Sequence, residues 1–470
     1  REKMVQDGAV IDPQQQSRTG ASAWEALRDR HGRYYAQLGD EETLQTRFWR
    51  GSPEIRRTFQ VEVENLACAV ESGQEAARVE VCAPAALAWV AVQRWSGSLT
   101  GDLDVLDGVL ECEGLEARMR TRLRAARSTI LWKLGRQPEA RQCADLNLAE
   151  ARTIGNPRWL GLCLVMQMEY REETSDTHMA IAQYREALEL FRRVGDRYGE
   201  ALALMDLGAM YLMDSGGVAL ESSDAFHSKE LAEEAQEIGK DLGSKRLEAK
   251  ALLLRAHYYL NTGEMDLADA DLKGALARAR ASDNRSLIVK VLSAIGTFTK
   301  DMGRLDESVK AHEEGIRICR QRGVRRTESI LIGNLALVVH LQGDLDWAHQ
   351  LYLETIELGE DVGFHGVSTN AKGNLGDLLL SQGRLEESAD QLVQAIEGMD
   401  ATHRAAGGSY RASLAWIHAQ WCDFDQARSL LNRGEEQLRG MWAYELGRLL
   451  CRRAQVEGLA GEEGRAEVAL

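Results

Sequence analysis

Side chains able to do acid–base, nucleophilic or metal chemistry are plentiful in this chain, but their spacing does not assemble them. The ten histidines, His257, His312, His340, His349 and His365 among them, are dispersed. No His-Glu-x-x-His pairing puts two of them on one helix face as metal ligands. The eight cysteines (68, 82, 112, 143, 163, 319, 422 and 451) contain no Cys-x-x-Cys pair and read as buried, reduced thiols. Glu233-Glu234, Glu313-Glu314 and Glu386-Glu387 are adjacent carboxylates, but acid–base work needs a pocket that shifts one pKa, and a solvated helix face supplies none. Phosphate-binding loops, nucleophile elbows, dinucleotide fingerprints and calcium loops are absent as motifs. The expectation is a chain with no catalytic residues, no metal and no cofactor, so any function must come from a surface.

The elements that would build such a surface are helices. Alanine, leucine, glutamate and arginine dominate, and of five prolines none follows Pro157, while glycine is abundant and spaced. Strong helix formers without proline, punctuated by glycine stops, define an all-α chain. At 470 residues it exceeds one compact core, which points to a repeat array. Seventy-three acidic against 57 basic side chains give a net charge of −16, disfavouring nucleic acid and anionic membranes. The local exception, Arg320, Arg322, Arg325 and Arg326, sits at a helix end, where cations complement the dipole. No apolar run or signal peptide is evident, so a cytoplasmic setting is expected.

Gly263, Gly303, Gly343 and Gly383 recur at intervals of 40 residues. Seven residues before each stands a small residue (Ala256, Gly296, Ala336, Gly376) and five after it another (Ala268, Ser308, Ala348, Ser388). Two helices approach closely only where a side chain is nearly absent, so each pair marks the crossing of a helical hairpin. A bulky residue four past the second small one (Leu272, His312, Tyr352, Leu392) is expected to face the next repeat. The same grammar extends weakly around Gly97, Gly135, Gly208, Cys422 and Gly461, giving an α-α superhelix, a tetratricopeptide-like solenoid, of about ten hairpins. The domain reading is a polar linker over 1–21, a helical, aromatic-rich cap or connector over 22–75, and the array over 76–470, clearest over 250–399. An insertion at 216–227 delays one second helix by about eight residues, as a tolerated surface loop or a working protrusion. Beginning at Arg1 and stopping at Leu470 within a helix, the chain reads as an excerpt of a longer protein.

In such a superhelix the first helices line a concave groove, so positions two before, one after and four after the small residue should face it. These give Asp206, Asn334 and Asn374; His257, Asp377 and Trp416; and Trp132, Lys300 and His340. The amides of Asn334 and Asn374, one repeat apart, can pair with the main chain of an extended peptide, or cap a neighbouring helix end. Lys250, Lys290 and Lys300 add positive charge suited to an acidic segment. Trp132, Trp416 and Trp421 are of the size that anchors interfaces or fills the space between hairpins.

The repeat, longer than the usual tetratricopeptide unit, resembles that of MalT-like and other STAND-type signalling ATPases of bacteria, and of Pins/LGN-type polarity adaptors. Phe59-Gln-Val-Glu-Val-Glu-Asn-Leu-Ala-Cys-Ala, followed by Ala85-Ala-Leu-Ala-Trp-Val-Ala, is similar to the acidic helix that opens the repeat region in those ATPase regulators. The resemblance implies a protein- or peptide-binding sensor or scaffold domain of a larger bacterial regulator, with a nucleotide-binding domain upstream as a further partner. A stand-alone adaptor and a small-metabolite receptor are the alternatives.

Overall fold

The computed structural model describes residues 19–40, 43–44, 61–96, 99–169, 177–214, 223–402, 404–439 and 443–469. Every regular element among them is helical. The chain divides into two compact units, residues 1–127 and 128–470.

In the first unit α1 (Thr19–Ala36) is followed by a short 3-10 turn (Gln37–Gly39), α2 (Val63–Glu75), α3 (Val79–Ser96) and α4 (Leu99–Leu110). Helix α1 packs on both α2 and α3. Gly39 is obligatory there, because a Cβ would lie 1.7 Å from the Pro84 carbonyl oxygen. The aromatic segment is less of a plug than its composition predicts. Tyr35 is buried and donates to Glu62 at 2.6 Å, but Trp24 and Tyr34 are exposed. Phe48 and Trp49 lie outside the described residues.

Helix α5 (Ala117–Lys133) spans the boundary between the units, and α6 (Gln137–Ile154) follows it. Then come α7 (Pro157–Glu169), α8 (Thr177–Val194), α9 (Arg197–Asp214), α10 (Ser223–Asp241), α11 (Lys245–Thr262), α12 (Met265–Ala281), α13 (Arg285–Asp301) and α14 (Leu305–Arg322). The remainder is α15 (Arg325–Gln342), α16 (Leu345–Asp361), α17 (His365–Ser381), α18 (Leu385–Thr402), α19 (Arg404–Gln420), α20 (Phe424–Leu438), α21 (Ala443–Leu459) and α22 (Glu463–Ala469). From α6 onward each helix packs on the next, which makes the fold an all-α solenoid of helical hairpins. From α9 onward the first helices also pack on one another (α9 on α11, α11 on α13, and so on to α19 on α21), which sets them on the inside of the curve.

The turn glycines do what the spacing predicts. Gly263, Gly303, Gly343 and Gly383 have φ of 80°, 71°, 88° and 75°, the left-handed conformation that ends a helix without a Cβ penalty. The turns between hairpins obey the same rule, with Gly243, Gly323 and Gly363 at φ of 62°, 64° and 66°. The punctuation is therefore one left-handed residue every 20, and two positions depart from glycine: Asp283 (φ 48°) and Cys422 (φ 64°).

Small residues at the helix crossings come in two matched kinds. Ala256 with Ala268 and Ala336 with Ala348 are completely buried pairs. Where the first helix has glycine instead, the second has serine: Ser308 Oγ donates to the Gly296 carbonyl at 2.7 Å, and Ser388 Oγ to the Gly376 carbonyl at 2.7 Å. The bulky residue that follows packs against the small residue of its own hairpin, and Leu272 and Leu392 also share core clusters with the next repeat, through Phe298 and through Tyr410 and Leu414. A Cβ on Gly296 would meet the His312 ring at 2.4 Å, and one on Gly376 would meet Leu392 at 2.7 Å.

Ser128 and Ala140 are buried around Gly135 (φ 85°), and Gly461 (φ 78°) turns α21 into α22. Met168, Ser175, Gly97 and 215–222 fall where side chains or backbone are outside the described residues. Helix α10 begins at Ser223, so residues 223–227 of the expected insertion belong to a helix. Ser228, fully buried, lies near Gly208 in the role of the second small residue.

Candidate functional site: the inner face of the array

Helices α9, α11, α13, α15, α17 and α19 carry the candidate groove residues apart from Trp132, which lies on α5, and the surroundings sort them into three groups. The first keeps a free polar end. Asn334 on α15 is part-exposed and its amide bonds to no described group. Lys290 on α13 is exposed and unpaired. His257 on α11 reaches solvent while protein crowds it, and that desolvation lowers its pKa.

A second group is held by partners. Lys250 lies 4.0 Å from Asp206, and Lys300 pairs with Asp301 at 2.7 Å, so the proposed lysine row is continuous only in sequence. His340 sits edge-on to Tyr352 (centroids 6.2 Å apart) with its Nδ1 3.5 Å from the tyrosine hydroxyl, and burial lowers its pKa. Asn374 differs from Asn334. Its amide donates to Asn370 Oδ1 at 3.1 Å, and its own oxygen accepts from the Tyr410 hydroxyl at 3.2 Å. Tyr410 crosses from the next inner helix because Gly373 leaves room for its ring, 2.2 Å from where a Cβ would sit. The asparagine pair of the sequence is thus one free amide and one structural amide. Leu254 and Ser413, on the same register, are buried.

The third group gathers at the carboxyl end. Asp377 on α17 is part-buried; its Oδ1 is shielded from solvent and bonds to nothing. Burial raises its pKa, while the Ser413 hydroxyl and the guanidinium groups of Arg448 and Arg452 pull it back down. Trp416 on α19 carries the Arg452 guanidinium 5.2 Å above its ring. Sequence reasoning missed Arg448 and Arg452 because α21 lies beyond the well-registered repeats; Arg452 stands 36 residues after Trp416, the signal that would have found it.

Other expectations are corrected. Cys68, Cys422 and Cys451 are exposed; the remaining thiols are buried or half-buried, and all eight are free. Trp421 is 45% exposed, edge-on to His418, instead of filling core. The Arg326 guanidinium lies over both the Trp132 ring, at 4.4 Å, and the Phe364 ring, at 4.0 Å. The arginine cluster stands at a helix end as expected, where Arg320 pairs with Glu328 and Glu354 at 2.8 and 2.6 Å and Arg325 with Asp361 at 3.2 Å. Among the described residues no three His, Cys, Asp or Glu side chains converge as metal ligands, and no helix is long and apolar enough to cross a membrane.

Residues 249–282 match the tetratricopeptide repeat family. A search of curated proteins finds no significant match. Among solved structures, the STAND protein with a tetratricopeptide repeat sensor from Pyrococcus horikoshii is similar at a TM-score of 0.51 and 11% identity, over 87% of this chain and 55% of that one. This chain therefore spans little more than half of that protein. The apo form of the quorum sensor NprR from B. thuringiensis is similar at a TM-score of 0.49 and 12% identity, over 75% of this chain and 97% of that one. Aspartyl phosphate phosphatase F from Bacillus subtilis follows at a TM-score of 0.46 and 14% identity, over 81% and 94%. At such identities the likeness is one of fold. The chain is a tetratricopeptide-type solenoid, and its array resembles the sensor region of a STAND ATPase.

Proposed function

We propose that this chain is a non-catalytic, protein- or peptide-binding scaffold, the sensor domain of a larger bacterial signalling regulator, whose partner lies along the inner face of α11–α17. The observation that carries this reading is what that face offers: on three successive inner helices, α11, α13 and α15, His257 is exposed, Lys290 is exposed without an ion pair, and the Asn334 amide bonds to no described group. An extended peptide presents both an N–H and a C=O to each side, and the Asn334 amide answers both. Lys290, one hairpin away, favours an acidic side chain on the same peptide. The overall negative charge of the chain repels acidic partners in general, so attraction confined to the groove gives selectivity. A cytoplasmic site of action and a nucleotide-binding domain upstream belong to the same reading.

The test is selection of peptides from a random display library on the 470-residue chain, followed by binding to variants. Asn334→Ala is expected to weaken a selected peptide about tenfold, the ~1.4 kcal/mol of one or two exchanged hydrogen bonds. Asn374→Ala would act through loss of the Tyr410 contact and lower stability as well. Unchanged affinity in a folded Asn334→Ala protein would remove the inner face from consideration.

A further inference from the structure

The turn glycines Gly263, Gly303, Gly343 and Gly383 face open space, since a Cβ on any of them would meet nothing within 4 Å. Gly135, in the equivalent turn between α5 and α6, does not. A Cβ there would lie 2.6 Å from the Val362 carbonyl oxygen and 3.2 Å from the Val362 Cβ, in the turn between α16 and α17. Just before Gly135, the Trp132 ring lies 4.4 Å from the Arg326 guanidinium, and that guanidinium lies 4.0 Å from the Phe364 ring. All of these residues belong to the second unit. Its first hairpin therefore rests on the first turn of α15 and on the turn before α17, and the chain from the end of α5 to α17 forms a closed circuit.

Neither side of this contact is required by the repeat. At the residue before an inner helix, Ser244 and Asn284 accept from the Leu247 and Leu287 N–H groups and so cap α11 and α13, whereas Val324 and Phe364 make no side-chain cap. Phenylalanine at that place forgoes a hydrogen bond that α17 could have had, and its ring lies instead on Arg326. In the register of Trp132, Lys300 pairs with Asp301 and His340 meets Tyr352, each within its own hairpin. Trp132 alone of the three reaches a distant hairpin.

A solenoid repeat touches only its neighbours, so small rotations at each interface add along the array and leave its curvature soft. A contact between distant hairpins fixes that sum. Two aromatic rings on one guanidinium favour the closed form about ten- to a hundredfold, which leaves an open form populated at roughly 1–10%. We propose that Trp132, Arg326 and Phe364 form a clasp that holds the array in a closed turn, and that its release admits a partner to the inner helices. The inner helices of the circuit carry His257, Lys290 and Asn334, and Asn334 shares α15 with Arg326. The clasp stands on the contacts alone, whereas the gating of the inner face rests on the peptide-binding reading above.

The experiment is hydrogen exchange, read by mass spectrometry on the full 470-residue chain without ligand, comparing the parent with Trp132→Ala and Phe364→Asn. Asparagine at 364 can cap α17 as Asn284 caps α13, so this variant releases the clasp without weakening its own helix. The backbone bonds from Arg136 to Leu131 and from Phe364 to Gly359 give each turn amides to follow. Phe364→Asn should speed exchange in the Trp132–Arg136 turn about tenfold, and Trp132→Ala should do the same in the Val362–Phe364 turn. Helices α18 to α20 should keep the protection of the parent, and small-angle X-ray scattering should show a larger radius of gyration for both variants. Parent-like exchange in the Trp132–Arg136 turn of folded Phe364→Asn overturns the clasp. A peptide selected on the parent should associate about threefold faster with Phe364→Asn, and equal rates overturn the gate. If display selection yields no peptide, the binding reading and the gate fail together, while the exchange result still decides the clasp.

Discussion

His312 offers the most quantitative perturbation in the array. It occupies the bulky position of its hairpin, 1% exposed, against Gly296, and its Nδ1 has no hydrogen-bond partner. Burial, together with the nearby Lys300 charge, lowers its pKa from 6.5 to about 4. The unfolded chain therefore takes up a proton below pH 6.5 that the folded chain resists until about pH 4. The contribution to stability is complete above pH 6.5 and falls as pH drops through that window. Two and a half pKa steps amount to about 3 kcal/mol at the acid end, and the loss accrued by pH 5 is about 2 kcal/mol. Leucine holds the equivalent place at Leu272 and Leu392, each almost fully buried, and Leu392 faces Gly376 as His312 faces Gly296. His312→Leu should therefore be accepted, relieve the unpaired nitrogen at a gain of about 1 kcal/mol at neutral pH, and remove the acid sensitivity. Solenoids unfold piecewise, so the assay is amide hydrogen exchange of α13 and α14, read by mass spectrometry at pH 7.5 and pH 5 with intrinsic rates corrected. The protection gap between variant and parent should widen by about 2 kcal/mol at pH 5. Carboxylates elsewhere titrate in both proteins and cancel. A gap that stays constant would refute the reasoning.

Further expectations follow from the same packing. Gly376→Ala places a Cβ 2.7 Å from Leu392 and should cost about 1–3 kcal/mol, seen as a lowered denaturant midpoint. Ser388→Ala removes the bond to the Gly376 carbonyl, at a cost of about 1 kcal/mol by the same measurement. Asp283→Gly and Cys422→Gly restore glycine where φ is 48° and 64°, and each should gain about 1 kcal/mol, read as a higher melting temperature. Arg411→Met leaves Asp400 with Arg433 but strips a nearly fully buried guanidinium from it and from Gln437; loss of about 3 kcal/mol is expected, and no loss would show that the pair is dispensable.

Much of this fold is legible in the sequence because its determinants are local. A left-handed turn needs glycine and a helix crossing needs a small residue, so Gly263 to Gly383 and their flanking alanines and serines announce the hairpins directly. The inter-hairpin turns escape because Asp283 breaks their glycine series. The site is less legible, because register tells which way a side chain points but not what meets it. Asn334 and Asn374 have the same register, yet Tyr410 satisfies one and nothing satisfies the other. Trp416 is found by register, while the Arg452 guanidinium over its ring comes from a hairpin whose repeat pattern is weak.

The central claim is that the inner helices, and not the outer ones, bind. Its most direct measurement is the affinity of a library-selected peptide for the parent, for Asn334→Ala with Lys290→Ala, and for Glu313→Ala on the exposed face of α14. The inner double substitution should weaken binding at least tenfold and the outer one leave it unchanged. The reverse pattern would contradict the assignment of the concave face.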